Sequence, residues 1–121
     1  MKITEVNTYY VRPRWGFVEI VTDEGYTGWG EAVLEGHCDA VLACVNEYKP
    51  YLIGKDPMMI EHHMQAMYRG GFYRGGPLML SAISGIEQAM WDIKGKYHGV
   101  PVMDLLGGRC REEIRMYANG W

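Results

Sequence analysis

A chain of 121 residues has room for one domain with a modest core, and 48% hydrophobic with 22% charged residues excludes a disordered tail. A formal net charge of -3 gives no electrostatic footing for nucleic acid or an anionic membrane, and no apolar run reaches a membrane span. Met1-Lys2-Ile3-Thr4-Glu5 lacks an apolar signal core, so a cytoplasmic protein is expected.

Residues 2–11 are rich in β-branched and aromatic side chains and read as a strand, interrupted at Arg12-Pro13-Arg14. Val18, Ile20 and Thr22 then alternate with Phe17, Glu19 and Val21, the period-two pattern of a strand buried on one side. Asp23-Glu24-Gly25 signals a turn, and Tyr26-Thr27-Gly28-Trp29-Gly30 begins the returning strand. A three-stranded antiparallel meander is expected. Past Gly36 the period changes: Val41, Cys44, Val45, Tyr48 and Leu52 fall at helical spacing, closed by Gly54. Asp56-Pro57 reads as the start of a second helix, with Asp as N-cap, Pro in the first position, and Ile60, Met64, Met67 and Tyr68 as its stripe. Arg69 to Pro77, with four glycines in nine residues, reads as a loop.

Ile83, Ile86, Met90, Ile93 and Tyr97 follow at steps of three and four and define the cleanest helical face in the chain. Gly99 supplies the cap and Pro101 blocks continuation. This face is expected to bury against a partner domain or another helix, and the nine Met and nine Tyr suit an uneven packing surface. Ile114-Arg115-Met116-Tyr117 reads as the opening of a further strand. Strands first and helices after give an α+β architecture, the meander followed by a helical bundle. Cys38, Cys44 and Cys110 are odd in number and lack Cys-x-x-Cys spacing, which favours reduced structural thiols over a zinc site.

The segment Ala82-Ile83-Ser84-Gly85-Ile86-Glu87-Gln88-Ala89-Met90-Trp91-Asp92-Ile93-Lys94-Gly95-Lys96, with Pro101-Val102-Met103-Asp104-Leu105-Leu106-Gly107-Gly108 after it, is similar to the first signature of the mandelate racemase and muconate lactonising branch of the enolase superfamily. Met90 departs from the usual small or Leu residue while keeping volume and apolarity. Gly28-Trp29-Gly30-Glu31 and Leu52-Ile53-Gly54-Lys55-Asp56-Pro57 also look like that branch's N-terminal capping domain. Pro13-Arg14-Trp15, Glu35-Gly36 and Gly71 to Pro77 most resemble its D-galactonate dehydratase group.

The resemblance implies a capping domain over residues 1–112, with residues 113–121 opening a (β/α) barrel whose remainder lies outside the chain. It implies a parent lyase that uses Mg²⁺ on a sugar-acid substrate, abstracting the proton α to the carboxylate and losing the β-hydroxyl to leave a 2-keto-3-deoxy acid. No catalytic residue and no metal ligand are expected in this chain, because the family carries them on the barrel. A homo-oligomer is expected, with no nucleic-acid or membrane partner. Two rivals stand beside this reading. One is another dehydratase or racemase of the same branch; the other is a free-standing, non-catalytic binding domain, should the chain end naturally at residue 121.

Arg12 to Phe17 corresponds to the mobile loop that closes the family's active site, so Arg14 and Trp15 are candidate substrate contacts. Glu35 joins them because it follows the third strand near that loop, and Asn119 because barrel sites collect at strand C-terminal ends. Tyr73 and Arg74, between glycine pairs, are expected to dock the domain against its barrel or a neighbouring subunit. Adjacent helical residues point about 100° apart, so His62 and His63 cannot converge on one metal and are expected at the surface. His37 and His98 read as cap or solvated residues. Asp23/Glu24 and Glu112/Glu113 read as surface charge.

Overall fold

Alternation of buried and exposed side chains builds the first third of the molecule. In the computed structural model, which describes residues 1–118, the strands β1 (Ile3–Val11), β2 (Trp15–Thr22) and β3 (Thr27–Glu31) form an antiparallel sheet in the order β1-β2-β3. Val6, Val18 and Ile20 on its inner face are fully buried. Four helices follow: α1 (Cys38–Leu52), α2 (Ile60–Arg69), α3 (Gly76–His98) and the short α4 (Val102–Leu105). The expected α+β meander and helical bundle is the observed architecture.

Helix α3 is the centre of the domain. Ile83, Ile86, Met90 and Ile93 are buried to within 1% and pack against β2, β3 and α1. Complete burial of each is worth about 2 kcal/mol. Of the two expected occupants, a barrel or another helix, the helix is present as α1, and the sheet of this same chain, which was not expected, covers the rest of the face. Tyr97, the last residue of the expected stripe, is 49% exposed because the sheet ends before the helix does.

Close approach of α3 to β3 depends on small residues. A Cβ on Gly28 would overlap the carbonyl oxygen of Ala89, and one on Gly30 that of Gly85. The Gly28-Trp29-Gly30 pattern is therefore a packing requirement. The helix ends at Gly99, whose left-handed φ of 67° lets its N–H turn back to the carbonyls of Gly95 and Lys96.

Three expected boundaries move. Asp56 does not cap α2: its carboxylate accepts the Met58 N–H at 3.0 Å in a local turn, and the helix starts only at Ile60. The glycine-rich loop is shorter than expected, since α3 begins at Gly76 with Pro77 in its first turn, where a missing N–H costs nothing. Ile114 to Tyr117 does not pair as a strand; residues 113–118 have no regular secondary structure, and Ile114, Met116 and Tyr117 are more than 75% exposed. A strand needs a neighbour to satisfy its backbone, and none of the described strands lies beside it.

Candidate functional site

The β1–β2 hairpin narrows to a three-residue tip, Arg12-Pro13-Arg14, because Val11 already pairs with Trp15. The expected mobile loop is thereby corrected in extent. Trp15, Gly16 and Phe17 belong to β2, paired with Val11, Tyr10 and Tyr9. Gly16 lies against the core, where a Cβ would stand 2.6 Å from the Ala32 carbonyl oxygen. The tip is braced from its base: the Tyr10 hydroxyl donates to the Pro13 carbonyl at 2.9 Å, and the Arg12 guanidinium stands 5.1 Å over the Tyr10 ring.

A backbone hydrogen bond from Ala32 to the Gly16 carbonyl, 2.8 Å, carries the chain after β3 alongside this tip. Glu35 is thus delivered to Arg14, with Oε1 3.4 Å from Nη1. The Arg14 guanidinium also stands 5.6 Å from the centroid of Trp15, which is 40% exposed. Three residues singled out from the sequence therefore form one cluster. The Arg14 and Glu35 side chains are 37% and 79% exposed, and such a solvated pair is worth at most about 1 kcal/mol. A ligand carboxylate can replace Glu35 on Arg14 at little cost, while Trp15 offers an apolar wall.

The other candidates lie apart. Asn119 falls outside the described residues. Tyr73 sits at the crown of the α2–α3 loop, 85% exposed, and helps rim a cavity of about 290 Å³ lined by Tyr48, Tyr51, Met67, Met79 and Ile83. Arg74 is occupied within its own loop, donating to the Gly71 carbonyl at 2.9 Å and standing 5.6 Å over the Tyr68 ring.

His63 contradicts the surface expectation. It is 2% exposed, with Nδ1 2.9 Å from the Tyr51 hydroxyl and Nε2 2.9 Å from the Asp56 carbonyl. A carbonyl can only accept, so Nε2 carries the proton and Nδ1 accepts from Tyr51. Adjacent polar residues hid this, since on a helix one neighbour faces inward while the other does not. Tyr68 moves the opposite way and is 41% exposed. The buried Cys38 and Cys44 thiols are pushed up in pKa by burial, with smaller contributions from Asp39 and Glu47, and stay protonated. Among the described residues, no three His, Cys, Asp or Glu side chains are arranged to hold a metal ion. Among the described residues, no helix is long and apolar enough to cross a membrane.

The sequence reading missed the residues that hold the site's sheet in place. Gln88, Asp92 and Lys96 line one edge of α3 and bond to the open edge of β3. Their four-residue spacing was the available signal.

Comparison with known proteins agrees with this architecture. Residues 6–107 match the family described as mandelate racemase / muconate lactonizing enzyme, N-terminal domain. The chain is 60% identical over 121 residues to a D-galactonate dehydratase of Verminephrobacter eiseniae (strain EF01-2), and 58% identical over 118 residues to a D-galactonate dehydratase of Ralstonia pickettii (strain 12J). These alignments cover 100% and 98% of the chain but 31% of each relative, so the chain spans about a third of the length of the curated relatives it matches. A crystal structure of an enolase from Pantoea ananatis with bound D-gluconate and Mg superposes with a TM-score of 0.86 at 45% identity, over 91% of this chain and 28% of that one.

Proposed function

The chain belongs to the mandelate racemase / muconate lactonizing enzyme family through its N-terminal domain, and on that premise we propose that it is the capping, substrate-selecting part of a sugar-acid dehydratase. The reading takes the parent reaction as loss of water from an aldonate such as D-galactonate, yielding a 2-keto-3-deoxy acid. The convergence of Arg14, Trp15 and Glu35 at the hairpin tip carries it. In this role Arg14 exchanges its weak contact with Glu35 for the substrate carboxylate, Trp15 shields one side from water, and Glu35 accepts from sugar hydroxyls. Asn119 is proposed as a further contact, and Tyr73 and Arg74 as docking residues.

Residues 1–112 are proposed as the cap and 113–121 as the approach to a catalytic barrel. Magnesium is proposed as the cofactor of the whole protein, but the described residues offer it no site. A cytoplasmic homo-oligomer completes the proposal. D-Gluconate bound in the Pantoea ananatis structure favours a second reading, a dehydratase of the same branch acting on a different aldonate.

The deciding experiment incubates the whole parent protein, this chain together with the proposed barrel, with Mg²⁺ and a panel of aldonates and assays 2-keto-acid formation. D-Galactonate is the expected best substrate. Turnover of D-gluconate in preference supports the second reading, and no turnover of any aldonate removes both.

A further inference from the structure

An antiparallel sheet with one wet side ordinarily shows polar residues there. The outer face of this sheet carries exposed aromatic rings among them as well. Its register places Asn7, Glu19 and Trp29 in one row across the three strands, and Tyr9, Phe17 and Glu31 in the next. Tyr9 and Trp29 reach across β2 until their rings stand 5.5 Å apart, yet they remain 43% and 45% exposed. Beside them Glu19 accepts the Tyr9 hydroxyl at 2.8 Å, and the Asn7 amide bridges Glu19 and Glu5 at 3.1 Å each.

Several other rings of this domain carry a cation of the same chain: Arg12 stands over Tyr10, Arg14 over Trp15 and Lys94 over Trp91. Among the described residues, no lysine or arginine stands over Tyr9 or Trp29. Ring faces and carboxylates both attract cations, and here they share one surface without one.

We propose that the Tyr9–Trp29 pair, flanked by Glu5, Glu19 and Glu31, docks arginine side chains of a basic protein partner. Arginine fits better than lysine because its planar guanidinium stacks on a ring while its edge donates to a carboxylate. The same face of a second copy is a poor occupant, since three carboxylates would meet three carboxylates with no cation between them. Along β2 this face runs on to Trp15, two residues from Phe17, but none of the proposed docking residues belongs to the Arg14–Glu35 cluster, and the proposal does not rest on the dehydratase reading.

A short blocked arginine peptide and its neutral citrulline analogue provide the probe, with the Trp29 indole N–H resonance followed by NMR in the whole protein. The arginine peptide is expected to shift that resonance, and the citrulline peptide to bind about fivefold more weakly, the loss of one exposed cation–π contact. Trp29→Leu should abolish binding of the arginine peptide measured by titration calorimetry, with an unchanged circular dichroism spectrum. Glu31→Gln, which alters charge and little else, should weaken binding. Equal binding of the two peptides, or no response at Trp29, overturns the proposal. So does sedimentation showing a salt-insensitive self-association that Trp29→Glu removes, because a second copy would then cover the face.

Discussion

Asp92 on α3 accepts the backbone N–H of Trp29 on β3 at 2.9 Å, a contact between residues 63 apart in the chain. One turn before it, the Gln88 amide oxygen accepts the Glu31 N–H at 3.0 Å, and one turn after, the Lys96 ammonium donates to the Thr27 carbonyl at 2.7 Å. Four residues of helix rise about 6 Å and two residues of strand about 6.6 Å. The helix can therefore present side chains in step with the open edge of β3. That edge would otherwise invite pairing with another chain.

Asp92→Ala is expected to cost about 1–2 kcal/mol, since it leaves the Trp29 N–H without its side-chain acceptor and removes one of the two partners of Lys96. Asp92→Asn, which keeps an acceptor, should cost less. Urea denaturation midpoints at an unchanged m-value provide the check, and equal losses for the two variants would contradict the hydrogen-bond account.

Gly30→Ala should be among the most damaging single changes. Its new methyl group meets backbone of α3, not a side chain that can move aside, and overpacking of that kind costs about 3 kcal/mol. Gly25 makes the control. It has open space around it and a φ of 82°, so alanine there should cost about 1 kcal/mol from backbone strain alone. Thermal melts of the pair test the difference.

His63→Leu is expected to lose about 2–3 kcal/mol, because it strands the Tyr51 hydroxyl and the Asp56 carbonyl in a buried site. Tyr51→Phe removes one bond and should cost about 1 kcal/mol. Nitrogen-15 chemical shifts of the imidazole should report the Nε2–H tautomer. An Nδ1–H signature would contradict the assignment.

At neutral pH a thiol reagent should label Cys110 in the native state, and Cys38 and Cys44 only after unfolding. Both buried thiols lie above their ordinary value of 9.0, chiefly through burial. The folded state holds those protons more tightly than the unfolded chain does, so their contribution is fully present below pH 9. It is lost as pH rises from there through the folded values. Tyr48 and Tyr51, raised above 10.0 by burial, act in the same direction. Stability measured from pH 8 to 11 should fall, and Cys38→Ser/Cys44→Ser should flatten the early part of that fall.

If the proposed dehydratase reading holds, Arg14→Gln in the whole protein should raise the aldonate KM about tenfold with a smaller change in kcat, the signature of a binding contact to a carboxylate. Stability should change little, since the Arg14–Glu35 pair is solvated. Steady-state kinetics of that variant would argue against the site if KM did not move.

Much of the fold was legible in the residues alone. Period-two alternation around Val18 and Ile20 needs no partner to be recognised, and neither does the three-four stepping from Ile83 to Ile93. Both repeats follow from the local geometry of strand and helix. The left-handed turn at Gly99 was legible for the same reason. Which surface each face would meet was not. Ile83 to Ile93 could have served another domain, and the chain's own sheet took it, because Gly28 and Gly30 let α3 approach closely enough.

The candidate site divides along the same line. Arg14, Trp15 and Glu35 were identifiable one by one, but their meeting depends on a hairpin register and on one hydrogen bond from Ala32 to Gly16. His63 was expected at the surface, and Asp92 was legible only as one residue of the helical signature. One is a buried strut and the other an edge clamp, because each has a partner contributed by a different element. Local periodicity resides in the sequence, whereas a hydrogen bond between distant elements exists only after packing has chosen which of them are neighbours.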